Sequence, residues 1–168
     1  MHPCHIEHFQ PRHGLQGDES QTFAYANLAC SCDGGIDDNR HCGHCKGSRF
    51  DPARFVNPSV EDSGRLFLYT TDGKIGAAAM LHSTEQERVK YMIDLLNLNC
   101  PRLSSMRCAH ARGLMSVIQG MLDDPAGLDE LVGIYLTPDN DGQLHRFFSL
   151  SHQLLGGSTD AISGVPEE

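Results

Sequence analysis

Residues 5 to 8 of this chain read His-Ile-Glu-His, and Phe9 follows. Nineteen positions after His8 come Asn27 and Leu28, then Cys30-x-Cys32, then His41-Cys42-Gly43-His44-Cys45-Lys46. Such a stretch is a dense supply of metal ligands and proton-transfer groups. Phosphodiester hydrolysis is one chemistry that would use it. That reaction needs an activated water, charge stabilisation on the phosphate and help for the leaving oxygen. A histidine can take the water proton near neutral pH. One divalent ion can polarise the phosphate and neutralise the leaving alkoxide. His8 is assigned as the general base and Glu7 as a metal ligand. Asn27 would fix the loop or orient His8. His44, at an expected helix start, is the first choice for a further catalytic residue and metal ligand, with His41 and Asp33 as alternatives. His5 is read as a supporting residue. A strand points adjacent side chains to opposite sides, so local distortion or a hairpin edge must bring Glu7 and His8 to one site.

The cysteines suggest a second metal. There are seven, an odd number, and four sit in close pairs interleaved with histidine. That pattern favours thiolate ligation in a reducing compartment over disulfides, and the cytoplasm is the simplest location. Cys30, Cys32, Cys42 and Cys45 could complete a tetrahedral zinc site. Cys-x-Cys is tighter than the usual two-residue gap, so Cys32, Cys42 and Cys45 are favoured, with Cys4 able to replace Cys30. A redox Cys42-x-x-Cys45 lacks the preceding strand that thioredoxin-like sites use. Cys100 and Cys108 read as helix-packing residues. His82, His110, His145 and His152 lie on helical patterns or loops and read as non-ligands.

Charge bears on the partner. The formal net charge is −9, awkward for a nucleic-acid binder, because phosphate contacts dominate such affinity. From Asp123 onward there are nine acidic residues and one basic residue, Arg146. The front of the chain is nearly neutral, with Arg40, Lys46, Arg49 and Arg54 beside the Cys/His segment. The acidic half is either a solvated helical surface or a docking face for a basic partner that supplies the DNA grip. No run approaches 18 apolar residues, so no membrane span is expected. The start, Met1-His2-Pro3-Cys4, lacks the basic and apolar regions of a signal peptide.

The elements that must position these residues are mixed. Residues 1–58 are rich in Gly, Cys, His and Asp, and must be held by a metal or a partner. Residues 65–70 and 74–80 flank Asp72-Gly73, a hairpin signal. Ser83 or Thr84 can start a helix, with Gln86 or Glu87 completing a capping box. Val89, Met92, Ile93 and Leu96 share one face of it, to about Leu98. Pro101 suits a helix first turn, and Leu103, Met106, His110, Leu114, Val117, Ile118 and Met121 carry the pattern to Leu122. Asn97 and Asn99 read as a C-cap. Shorter helices are expected at 127–136 and 142–155. The expected class is α+β: a small ββα-metal unit with a zinc knuckle, then a mostly α-helical half. The expected domains are 1–58 for the first, 59–156 for a hairpin plus helical subdomain, and 157–168 for a disordered tail.

Three groups of residues carry a family resemblance. The first is His5-Ile6-Glu7-His8-Phe9-x-Pro11 with Asn27-Leu28. The second is His41-Cys42-Gly43-His44-x-Lys46-Gly47 with the exit Phe50-Asp51-Pro52. The third is Phe67, Tyr69 and Gly73 of the hairpin, then Leu96-Asn97-Leu98-Asn99, Leu103 and Arg107. Together they resemble the HNH endonuclease family found with retrons and as the nuclease subunit of Septu-type antiphage systems. The resemblance spans residues 4 to about 107. It implies a Mg²⁺- or Mn²⁺-dependent DNA endonuclease with a structural Zn²⁺, acting in a hetero-oligomeric defence complex. The implied partner is an SMC-like or ABC-type ATPase, sometimes alongside a reverse transcriptase and its small DNA product. Family members usually carry a further Cys-x-x-Cys upstream of the His-x-Glu-His segment, which bears on the zinc ligands. Arg107 would either contact DNA or hold its helix against the nuclease unit. The alternatives are a zinc-ribbon binding or scaffold module, and a zinc hydrolase acting on small molecules.

Overall fold

The structure is a computed structural model. It describes residues 4–32, 34–60 and 63–162, except the side chains of Cys4 and of 157–162. The architecture is mixed α+β, with two small antiparallel sheets and several helices. By contacts the chain divides into two compact units, residues 1–70 with 74–104, and residues 71–73 with 105–168.

In the first unit, β1 (Cys4–His8) pairs antiparallel with β2 (Leu28–Cys32). The register sets His5 opposite Ser31, Glu7 opposite Ala29 and Cys4 opposite Cys32. A five-residue helix, α1 (Cys42–Lys46), follows and lies on the strand pair. Gly43 allows this. A Cβ there would fall 2.6 Å from Glu7 Oε2, 2.9 Å from His5 Nε2 and 3.0 Å from Ser31 Oγ. The Gly43 N–H donates to Ser31 Oγ at 3.1 Å.

The predicted hairpin forms as β3 (Phe67–Tyr69) and β4 (Ile75–Ala77), with Gly73 at φ 82° in its turn. It packs with α2 (Ser83–Leu96) around Val56, Leu66, Val89, Met92 and Leu95. The cap differs from both expected frames. His82 precedes the helix, and its backbone N–H donates to the Glu85 carboxylate at 3.3 Å. Asn97 ends α2 in the left-handed conformation, φ 47°, as a C-cap should. Asn99 has another task. Its side chain accepts from the Ile75 N–H at 2.8 Å and donates to the Ile75 carbonyl at 2.9 Å. Both bonds tie β4 to the link after α2.

The helix α3 (Pro101–Gly120) begins at its proline as expected, and its buried stripe is Arg107, Ala111 and Leu114. That i, i+4, i+7 stripe is rotated from the one read in the sequence, and Val117 is exposed. The second unit has α4 (Pro125–Leu136) and α5 (Phe148–Ile162), and its core joins Leu114, Leu131 and Leu155. Helix α4 starts two residues earlier than expected, because Asp124 caps it by accepting from the Gly127 N–H at 3.0 Å. Helix α5 starts later than expected. Asp139 Oδ1 accepts from the backbone of Asp141 and Gln143, so that stretch is a turn. The expectation for residues 157–168 falls mostly outside the described side chains. Among the described residues no helix is long and apolar enough to cross a membrane.

Candidate active site and metal centre

Strand β1 alternates, so His5 and Glu7 share the face on which α1 lies. Glu7 is held at both oxygens. Lys46, at the end of α1, has 2% exposure, and its Nζ donates to Glu7 Oε1 at 3.0 Å. The same ammonium donates to the His8 carbonyl at 2.7 Å and the Gly47 carbonyl at 3.3 Å. Glu7 Oε2 lies 3.6 Å from His5 Nε2. The His5 ring stacks on His44, centroids 4.7 Å apart and planes within 12°. One carboxylate oxygen is therefore fixed by a cation, and the other faces the His5 imidazole, on which His44 stacks.

His8 leaves the strand in another direction. Its Nε2 lies 2.9 Å from the Thr22 carbonyl. A carbonyl only accepts, so Nε2 carries the proton and Nδ1 keeps the lone pair. Asn27 is buried and makes three bonds with the backbone. It accepts from the Gln10 N–H at 2.8 Å and donates to the carbonyls of Gln10 at 3.0 Å and Gln21 at 3.2 Å. It clasps the chain just after His8 to the turn that carries Thr22. Asn27 thus fixes the loop and, through it, the carbonyl that orients His8.

The thiolate cluster has a different membership from the expected quartet. Cys32, His41 and Cys42 bring one donor atom each within 4.8 Å of one another. His41 is buried, and its Nδ1 sits 2.6 Å from the Asn39 carbonyl. That bond places the proton on Nδ1 and frees Nε2, the arrangement that metal-ligating histidines show. Cys42 takes a positive φ of 53°, a costly conformation for a residue with a Cβ. Cys32 is depressed to about 5, first by the Cys42 thiol, then by the Gly34 N–H and His41, against the opposing effect of burial. Cys30 is exposed and two residues back along β2, roughly 6–7 Å in strand rise. Cys45 faces Arg49, whose Nη2 is 3.5 Å from its sulfur. Neither joins the cluster. Cys4 sits opposite Cys32 in the register, and its side chain and Asp33 lie outside the described residues. Cys100 is buried, with Sγ 3.9 Å from His41 Nδ1.

The structure brings Glu7 and His44 to one face through His5, and sends His8 to a neighbouring partner. Sequence reasoning undervalued His5, Lys46 and His41. The His5-x-Glu7 spacing was a usable signal, since i and i+2 share a strand face. Lys46 carried none, because a lysine in a basic stretch reads as exposed.

A comparison with curated proteins bears on this geometry. Over 114 residues the chain is 28% identical to a Vibrio cholerae serotype O1 biovar El Tor protein. That protein's name marks it as a candidate HNH endonuclease of retron Vc95. The chain resembles a retron nuclease candidate. The match covers 68% of this chain and 54% of the relative, so the chain spans about half the relative's length. No family model matches. The Cys/His cluster is consistent with metal use.

Proposed function

We propose that the protein is a metal-dependent HNH endonuclease that hydrolyses phosphodiester bonds of DNA. The observation that carries this is Glu7, pinned through one oxygen by buried Lys46 and presenting the other to His5 under Gly43, with His44 stacked on the His5 ring. A carboxylate with imidazoles and room for water suits a hard divalent ion such as Mg²⁺ or Mn²⁺. Glu7 and His44 would hold it. Once bound, it would stabilise charge on the phosphate and the leaving oxygen. His8 takes the proton of the attacking water at Nδ1, while Thr22 holds the ring through Nε2. Asn27 keeps that carbonyl in place. Lys46 keeps the carboxylate and the His8 backbone in a fixed relation.

The second metal would be zinc, held by Cys32, His41 and Cys42. Three soft or borderline donors, a preset imidazole and a cysteine in a costly conformation fit a structural ion. The sheet register makes Cys4 the candidate for the fourth position. By analogy with its family resemblance, the subunit works in an antiphage complex with an SMC-like or ABC-type ATPase. A reverse transcriptase and its DNA product would belong to the same complex, which would act in the cytoplasm.

The test is nicking of plasmid DNA with added Mg²⁺ or Mn²⁺. His8→Ala should lower the rate by about 10²–10⁴ and leave folding and zinc content intact. Wild-type cutting by folded His8→Ala protein would sink the assignment. If wild-type protein binds zinc but never cuts, alone or assembled, a zinc-ribbon scaffold is the reading that survives.

A further inference from the structure

We infer that Arg40 and Arg102 grip the phosphodiester backbone of the substrate strand beside His44. This rests on the nuclease reading and extends it, by naming where the strand leaves the site. An open groove of about 580 Å³ is lined by Gly35, Ile36, Arg40, His44 and Arg102. That is large beside one water, whose share of liquid is about 30 Å³. Among the described residues the lining holds two guanidiniums, an imidazole and no carboxylate.

Several basic residues of the first unit near the site are already engaged. Lys46 is buried on Glu7. Arg49 donates to the carbonyls of Cys45 and Leu95. Arg54 pairs with Asp51 and lies over Tyr91, and Arg65 pairs with Glu85. Arg40 and Arg102 are exposed, and neither guanidinium has a partner among the described residues. A guanidinium offers five donors in a rigid fork that matches a phosphate.

Their main chains are fastened. Asn97, at the left-handed end of α2, donates to the Arg40 carbonyl at 2.8 Å. The Arg102 N–H, in the first turn of α3, donates to Asn39 Oδ1 at 3.0 Å. The segment before α1 and the link between α2 and α3 are thus bound to each other. Two cationic side chains, each on a fastened main chain, line one groove together with the His44 ring. A strand whose scissile phosphate meets Glu7 and His44 finds its neighbouring phosphates here. Two fixed cations also suit a chain of net charge −9. They give orientation at the site without a broad basic surface.

The experiment uses full-length His8→Ala protein, which should bind without cutting. Fluorescence anisotropy would follow a short duplex DNA and an RNA of the same sequence, between about 50 and 200 mM salt. Arg40→Gln with Arg102→Gln should weaken binding at least tenfold and make the salt slope shallower by about two. Arg146→Gln, in the second unit, should change neither. The exposed positions leave zinc content and melting unchanged, so loss of binding reports the contact. If the DNA arm responds and the RNA arm does not, the strand is DNA, and the reverse outcome names RNA. Parental affinity and slope in the double variant would overturn the inference, as would absence of binding to either nucleic acid. Plasmid cutting that depends on His8 would still stand in both cases, which separates this failure from failure of the nuclease reading.

Discussion

Lys46 shows how one residue can set the state of several others. A buried ammonium must have acceptors, and here they are the Glu7 carboxylate and two carbonyls. Lys46→Met would leave Glu7 with His5 as its neighbour and no buried cation. Glu7 retains 22% exposure, so the loss should fall near or below the lower end of the roughly 3–5 kcal/mol seen for broken buried pairs. Mn²⁺ affinity should fall by about 10–100-fold, the usual effect of losing a partner that orients a ligand. Denaturant titration and Mn²⁺ binding by electron paramagnetic resonance would check both, and unchanged affinity would remove Lys46 from the site. The cysteines separate in the same way. Cys32→Ser and His41→Ala should lose zinc by elemental analysis, whereas Cys30→Ser and Cys45→Ser should retain about one ion per chain. Equal zinc in all four would dismantle the proposed ligand set.

At the scale of elements, much was legible because local rules applied. Asp72-Gly73 announced its hairpin, Pro101 its helix start, and Asn97 its cap. The misses have common causes. Caps depend on which residue turns out of the helix, and Glu85 found the His82 backbone instead of either hydroxyl frame. The α3 stripe rotated because Arg107 is buried, which no hydrophobic pattern foretells. The Cys42-x-x-Cys45 spacing suggested a pair, but one turn of helix carries Cys45 to Arg49 and leaves His41 beside Cys42. Who meets whom across 30 residues is tertiary information. Gly43 is the sharpest element-level test. Gly43→Ala puts a methyl 2.6 Å from Glu7 Oε2, so the carboxylate and the His5 ring beside it must shift. The cost is about 1–3 kcal/mol for such overpacking, and metal-dependent cutting should fail before the fold does. A melting curve beside a cleavage assay would show it, and full activity would mean α1 does not sit there. In the second unit His110 hydrogen-bonds Ser151 at 2.8 Å. Burial, then the charges of His145 and Arg146, hold its ring below the ordinary histidine range. The unfolded chain therefore takes up the proton more readily. Stability is full above the ordinary value of about 6.5 and falls as the pH drops through it. Melting should be lower at about pH 5.5 than at about pH 7.5, and His110→Gln should reduce that difference. An unaltered pH dependence in the variant would shift the cause elsewhere.

At the scale of the whole molecule, charge and chemistry are kept apart along the chain. The proposed catalytic and zinc-binding residues lie before residue 47, and nine of 22 acidic residues lie from Asp123 onward. A chain so charged should bind DNA weakly without a basic partner. Truncation near residue 123 should abolish assembly with an ATPase while leaving zinc content unchanged. Co-purification of the truncated chain with such a partner would count against docking through the acidic half.

Residues 41 to 44 divide their loyalties. His41 and Cys42 turn to the Cys/His cluster, while Gly43 lies against Glu7 and His44 stacks on His5. No spare residue separates the two groups. A chelator should therefore silence the protein on two clocks. Activity lost within seconds would return with Mg²⁺, because only the exchangeable ion has gone. Activity lost over hours would not return with Mg²⁺, because His41 and Cys42 have let go of the segment that presents His44. Recovery would then need zinc and a reductant together. Each preparation would carry a memory of how its thiols had been treated, readable as the fraction that magnesium alone can revive.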